Sequence, residues 1–158
     1  MRAWRYWFVA IVGPYIAAAF QQGLAPRFTF VGIVPDFLLV FVAVFALFSS
    51  RPAATANGFF AGLLEGALAG VNLTHYVLSR TLAGFFGGAA SAFNFQPNMG
   101  VAALMAAALT AISQVLLFFL APPSGIGRFL GDTIGAAMYN GVLAIPVYAL
   151  LRRILVTP

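Results

Sequence analysis

The chain has no cysteine and very few side chains that carry charge or titrate. Its 158 residues include one histidine, three acids and eight basic residues, and charged residues make up only 7% of the sequence. The lack of cysteine excludes disulfides and thiolate metal sites. Soluble domains carry about 25% charged residues, so the composition does not fit that class of protein.

The sequence is instead rich in apolar residues, which make up 63% of it and fall into long runs. These runs are about 20 residues long, the length that a helix needs to cross the hydrocarbon core of a bilayer. We therefore predict an all-α integral membrane protein with six transmembrane helices in contact with the lipid bilayer. Only short polar and proline-containing segments separate the runs, so residues 1–158 are expected to form a single transmembrane domain.

The predicted spans cover residues 5–24, 29–48, 52–71, 75–93, 100–120 and 126–151. The first is interpreted as a retained span, because no convincing cleavage site follows it. Six spans place both termini on the same side, together with five arginines: Arg2, Arg5, Arg51, Arg152 and Arg153. The opposite side holds Arg27 and Arg128. Since cytoplasmic loops are enriched in basic residues, both termini are predicted to be cytoplasmic.

The net charge of +5 would suggest a nucleic-acid partner in a soluble protein. Here every basic residue is an arginine, and most of these arginines lie at the ends of predicted spans. Membrane topology and lipid headgroups account for arginines at such positions. We therefore expect no nucleic-acid partner.

Glycines recur every fourth residue in two of the predicted spans. The third span carries Gly58, Gly62, Gly66 and Gly70; the sixth carries Gly127, Gly131 and Gly135, and the fourth has a shorter pair, Gly84 and Gly88. On a helix this spacing places small residues along one ridge, and in a membrane such a ridge lets a neighbouring backbone approach closely. The ridges are predicted to be interfaces, either between helices of the chain or with a partner.

The three acids, Asp36, Glu65 and Asp132, all fall inside predicted spans. Each lies six or seven residues from the outer end of its span, which corresponds to a depth of roughly 9–11 Å. Arg80 reaches the same depth as Glu65, because the turn between their spans centres near Leu73. Since membrane-buried charges usually face the bundle interior or a wet cavity, these four residues are predicted to form a polar centre, in which Arg80 pairs with Glu65.

Two alternatives stay open for these residues. Arg80 could extend its side chain to the outer headgroups, with Glu65 protonated. Asp36, Glu65 and Asp132 could also carry protons or ions across the membrane.

Catalytic patterns are lacking. The sequence has no two carboxylates at close spacing, no serine in a nucleophile turn and no phosphate-binding loop of the Walker type. We therefore expect a protein that is not an enzyme and that binds neither a cofactor nor a metal ion.

Three blocks of the sequence, taken in order, resemble the rod shape-determining protein MreD family. Residues 35–40 are Pro-Asp followed by an apolar run, and residues 58–70 combine Gly-Phe, further glycines and an acid. Residues 140–153 resemble the last span of the family and its basic cytoplasmic tail. The family usually has aspartate where this chain has Glu65, so the carboxylate is retained but reaches about one methylene further.

The resemblance implies a non-enzymatic scaffold of the bacterial cell-elongation machinery, located in the cytoplasmic (inner) membrane and helping to control cell shape and peptidoglycan synthesis. Its expected partners are the single-span periplasmic protein MreC and, through the complex, MreB, RodA and a penicillin-binding transpeptidase. The family is also similar in fold to the S-components of energy-coupling factor transporters, which implies a compact bundle of that kind. This likeness supplies an alternative function, a solute-binding transporter subunit that holds a small ligand in the outer half of the membrane.

Overall fold

The computed structural model describes residues 3–70, 72–91, 96–120, 122 and 125–156. Within these ranges the chain folds into six α-helices: α1 (Ala3–Gly23), α2 (Phe37–Ala46), α3 (Arg51–Ala69), α4 (Leu73–Ser91), α5 (Met99–Leu120) and α6 (Ile126–Leu155). The prediction of an all-α chain is confirmed. The predicted ends of the third and fourth spans, residues 71 and 93, lie outside the described residues.

Two of the described helices, α5 and α6, are long and apolar enough to cross a membrane. They pair as neighbours, as do α3 and α4. The short connections between the helices of each pair make the pairing antiparallel.

The shortest helix, α2, is the core of the molecule. Every residue from Leu38 to Leu47 is buried, as expected of a helix that is apolar on all sides. α2 contacts each of the other helices, which surround it in the order α1, α3, α4, α5 and α6. The sequence of α2 contains no polar residue at all, so this central position follows from its composition.

The second predicted span, residues 29–48, is not helical in its first half. α2 has ten residues, about 15 Å of helix, and residues 29–36 are not helical. Phe30 and Ile33 pair across a tight turn in which Val31 and Gly32 have φ angles of 52° and 82°. Left-handed residues end a right-handed helix, and Pro35 disfavours helical backbone in the residue before it.

The glycine ridge of α3 packs inside the bundle, against α4. A Cβ atom added at Gly62 would lie 2.6 Å from the Cα of Val77, and one at Gly66 would lie 2.9 Å from the Cα of Leu73. The contact is reciprocal, because a Cβ atom at Gly88 would lie 2.7 Å from the Cα of Arg51. Gly58 and Gly84 likewise leave no space for a side chain beside the facing backbone. We call this contact the α3–α4 seam.

The last member of the ridge, Gly70, has a different role. It ends α3 in the left-handed conformation (φ 68°), with its N–H bonded to the Gly66 carbonyl at 3.1 Å. A Cβ atom there would touch no described residue within 4 Å. Gly70 therefore terminates the helix, as C-terminal glycines commonly do, and it packs against no other helix in the described part of the chain.

The glycines of α6 differ from those of α3. Cβ atoms at Gly127 and Gly131 would touch no described residue within 4 Å, whereas one at Gly135 would meet the side chain of Ile33. Gly127 and Gly131 therefore face open space in the part of the chain that the structure describes.

Substitution of leucine for a seam glycine should disrupt the bundle. Gly62→Leu forces a side chain into the backbone of α4, so we expect a loss of at least about 3 kcal/mol, the upper end for overpacked sites. Gly131→Leu is the matched control and should change stability by less than about 1 kcal/mol, because its site is open. Thermal unfolding in detergent measures both, and equal stability of the two variants would contradict the seam.

Candidate functional site

An ion triad lies where α2 begins. The guanidinium of Arg80 donates from Nε to Glu65 Oε2 at 2.6 Å and from Nη2 to Glu65 Oε1 at 2.8 Å. The same Nη2 donates to Asp36 Oδ2 at 2.5 Å. One buried arginine therefore joins α3, α4 and the residue that precedes α2. We call Asp36, Glu65 and Arg80 the ion triad.

The α3–α4 hairpin positions two members of the triad. Glu65 and Arg80 lie at nearly equal distances along the chain from Leu73, and the seam brings their backbones close enough for bidentate pairing. The predicted Glu65–Arg80 ion pair is confirmed. The alternative in which Arg80 extends to headgroups is wrong, because its side chain is only 3% exposed.

The third member, Asp36, also caps α2. Its Oδ1 atom accepts a hydrogen bond from the Leu39 N–H at 2.8 Å, while Oδ2 accepts from Arg80. The first N–H groups of a helix have no partner within the helix, and an aspartate at this position satisfies one of them. Asp36 thus links the start of the central helix to the charge of Arg80.

Two amide side chains complete the cap. Gln21 of α1 accepts from the Phe37 N–H at 2.7 Å and donates to the Pro35 carbonyl at 3.2 Å. Asn140 of α6 accepts from the Asp36 N–H at 2.9 Å and donates to Thr110 Oγ1 of α5 at 3.0 Å. The five helices around α2 therefore each contribute a polar side chain to the network at its start.

Sequence analysis did not identify Gln21, Thr110 or Asn140. A signal was present, since all three are polar residues in apolar helices, and such residues usually bond across helix interfaces in membranes. The partners of Gln21 and Asn140 are backbone groups of residues 35–37, which the sequence predicted to be helical and hence already bonded.

Asp132 does not belong to the triad, and its placement there was wrong. Its side chain is 64% exposed, and its Oδ2 atom lies 3.8 Å from Nε of Arg128, one turn earlier on α6. The register of α6 explains why Asp132 does not reach the triad. Asn140 is the α6 residue that reaches Asp36, and Asp132 lies eight positions before it, about 12 Å away along the helix.

A cavity of about 190 Å³ adjoins the triad. Polar groups from every side line it, including all three triad residues and Tyr76, Ser113 and Gln114. Ser113 is only 2% exposed, and its Oγ atom has no hydrogen-bond partner among the described residues. We call this space the triad cavity.

The chemistry available at this site is charge pairing and hydrogen bonding. Both carboxylates are held by Arg80, so neither is arranged to activate a nucleophile. Among the described residues, no group of three or more histidine, cysteine, aspartate or glutamate side chains is placed to hold a metal ion.

Comparisons with known proteins return no match, since no family model, no curated protein and no solved structure matches the chain.

Removal of one partner of the triad should be costly. Arg80→Ala leaves two buried carboxylates without a counter-charge, and we expect a loss of about 3–5 kcal/mol, typical of a broken buried pair. Glu65→Ala should cost less than Arg80→Ala, because Asp36 keeps Arg80 paired. The double variant should lose less stability than the sum of the two single variants. Unfolding of all three in detergent gives the coupling, and additive losses would contradict it.

Neighbouring glutamines of α1 test the cap. Gln21→Leu leaves the Phe37 N–H buried without an acceptor, and we expect a loss of about 1–3 kcal/mol. Gln22 is exposed, so Gln22→Leu should change the free energy of unfolding by less than about 0.5 kcal/mol. The same unfolding assay compares the two variants, and a Gln22→Leu loss as large as that of Gln21→Leu would argue against the cap.

Proposed function

We propose that the chain is a multi-pass protein of the bacterial cytoplasmic (inner) membrane, with six membrane-crossing segments and cytoplasmic termini. The distribution of polarity supports this proposal. Large apolar side chains are exposed around the outside, among them Phe30, Leu104, Phe119, Ile126, Met138 and Val142, whereas Arg80 is buried at the centre. Exposed apolar surface on this scale is unusual for a soluble monomer and suits contact with lipid.

The short α2 is compatible with a membrane crossing. Irregular backbone is tolerated at membrane depth where it is buried in protein or lines a cavity. Residues 34–36 line the triad cavity, and their backbone groups bond to Gln21 and Asn140. Residues 29–36 would thus complete the second crossing outside α2.

The function that we propose is that of a non-catalytic scaffold in the cell-elongation complex, which binds MreC. One observation carries this proposal. The two sequence blocks that most resemble the MreD family, residues 35–40 and 58–70, lie apart in the sequence but meet in the ion triad through Asp36 and Glu65. Asp36 and Glu65, one from each block, therefore help to connect α2, α3 and α4. Such a role is expected of residues that the members of a family have in common.

The glutamate at position 65 fits this role. Both of its carboxylate oxygens accept from Arg80, so the longer side chain still gives a bidentate pair of the strong kind. A charge-pairing role tolerates an exchange between aspartate and glutamate.

The surface proposed for MreC is the free glycine ridge of α6, around Gly127 and Gly131. The ridge of α3 is excluded because α4 covers it. Gly127 and Gly131 have no neighbour in the described part of the chain, and small residues favour close packing of a second membrane helix.

The triad cavity favours a second candidate, a solute-binding subunit similar to the S-components of energy-coupling factor transporters. Its polar lining and its volume of about 190 Å³ suit a small ligand. A transporter of this kind requires a partner with an ATPase module, whereas an elongation scaffold requires MreC.

A pull-down from bacterial membranes, analysed by mass spectrometry, separates the two functions. We expect the tagged chain to capture MreC together with elongation synthases. Capture of a transporter ATPase module without MreC would overturn the scaffold in favour of the transporter subunit.

The MreC surface has its own test. Gly131→Leu should lower MreC capture by about tenfold or more, because a bulky side chain keeps a partner helix away from the ridge. Gly23→Leu is the control, since Gly23 also has no neighbour within 4 Å but lies at the end of α1. Equal capture by the two variants would place MreC on another face.

A further inference from the structure

We propose that the triad cavity binds a protonated primary amine, supplied either by a free solute or by the headgroup of an aminophospholipid. The inference is based on the cavity alone and does not depend on MreC binding. Charge, hydrogen-bonding capacity and volume each support it.

When Asp36 and Glu65 are both ionised, the charged groups of the cavity do not balance. The two carboxylates then carry one more negative charge than Arg80 compensates, and no other arginine among the described residues lines the cavity. A buried charge without a counter-charge is costly. A bound ammonium group would supply the missing positive charge.

The cavity also has hydrogen-bonding capacity that the described residues leave unused. Arg80 directs its Nε and Nη2 donors to the carboxylates and Nη1 to Ser79 Oγ. Each carboxylate oxygen has a second lone pair that can accept another hydrogen bond. The buried Ser113 Oγ has no partner among the described residues, and it lines the same space. An ammonium group with several N–H donors fits these acceptors.

The volume of the cavity is sufficient for a small ligand. A cavity of about 150 Å³ accepts a molecule of benzene, and the triad cavity has about 190 Å³. Ethanolammonium is small enough to enter it. Choline is the matched probe, because it has the same charge and the same hydroxyethyl group but no N–H donor.

The first experiment uses the full chain in nanodiscs of phosphatidylglycerol, which lacks an amine. Thermal unfolding is measured against increasing ethanolammonium chloride or choline chloride at equal ionic strength. We expect a saturable rise in Tm with ethanolammonium and an effect at least about tenfold weaker with choline, since charge-assisted hydrogen bonds are lost. No rise, or an equal rise with both salts, would overturn the proposal.

Variants locate the binding site. Ser113→Leu should fill the cavity and abolish the ethanolammonium response, while Ala108→Leu adds the same bulk at an exposed position of α5 and should retain it. Glu65→Gln removes the excess negative charge and should weaken binding by about tenfold. Because Ser113→Leu could disturb packing, Glu65→Gln serves as a second, independent test of the binding site. An unchanged response in both Ser113→Leu and Glu65→Gln would overturn the proposal.

The Tm response in nanodiscs of different lipids distinguishes the two sources of the amine. If a headgroup fills the cavity, nanodiscs with phosphatidylethanolamine should raise Tm and abolish the response to free ethanolammonium, while phosphatidylcholine should do neither. If the ligand is a free solute, the ethanolammonium response should be the same in all three lipids. MreC capture is measured separately on the same variants, so failure of amine binding and failure of the scaffold role are distinguishable.

Discussion

The shared pairing of Arg80 with Asp36 and Glu65 is the interaction on which the rest of the structure depends. A central helix of ten residues begins inside the bundle, where its first N–H groups need partners other than its own backbone. Asp36 satisfies one of them and receives its counter-charge from Arg80, which Glu65 holds in turn. The short α2 is stable in this position because the surrounding helices supply the partners that a longer helix would supply for itself.

Close backbone packing and charge pairing depend on each other here. Without side chains at Gly58 and Gly62, α4 lies directly against α3, and this contact holds Arg80 and Glu65 in register. The glycines lower helix propensity by about 1 kcal/mol each relative to alanine. Packing along the seam and the buried ion pair offset that loss. This explains why a ridge of glycines and an acid occur together in one helix.

Sequence reasoning predicted the elements that depend on local spacing and missed those that depend on three-dimensional register. The α3–α4 hairpin fixes Glu65 opposite Arg80 by counting residues from the turn, so that pair was predictable. Asp132 was misplaced because its depth was counted from an assumed membrane surface, whereas the level of α6 is set by Asn140. Apolar composition predicted one long second span, since periodicity does not reveal that residues 31 and 32 adopt left-handed backbone.

The three residues of the ion triad are well placed to bond to one another, but two ionised carboxylates carry more charge than one arginine compensates. A cation bound in the triad cavity would supply the missing positive charge. A ligand that binds only the folded state stabilises that state by mass action. A cation in the cavity would therefore strengthen the same contacts that position α2, α3 and α4. A surface for the proposed partner would lie on the apolar outside of the ring, because α4 covers the glycine ridge of α3. A ligand bound in the cavity would thus make the bundle more rigid. A protein docked on the surrounding helices would then bind a more rigid surface.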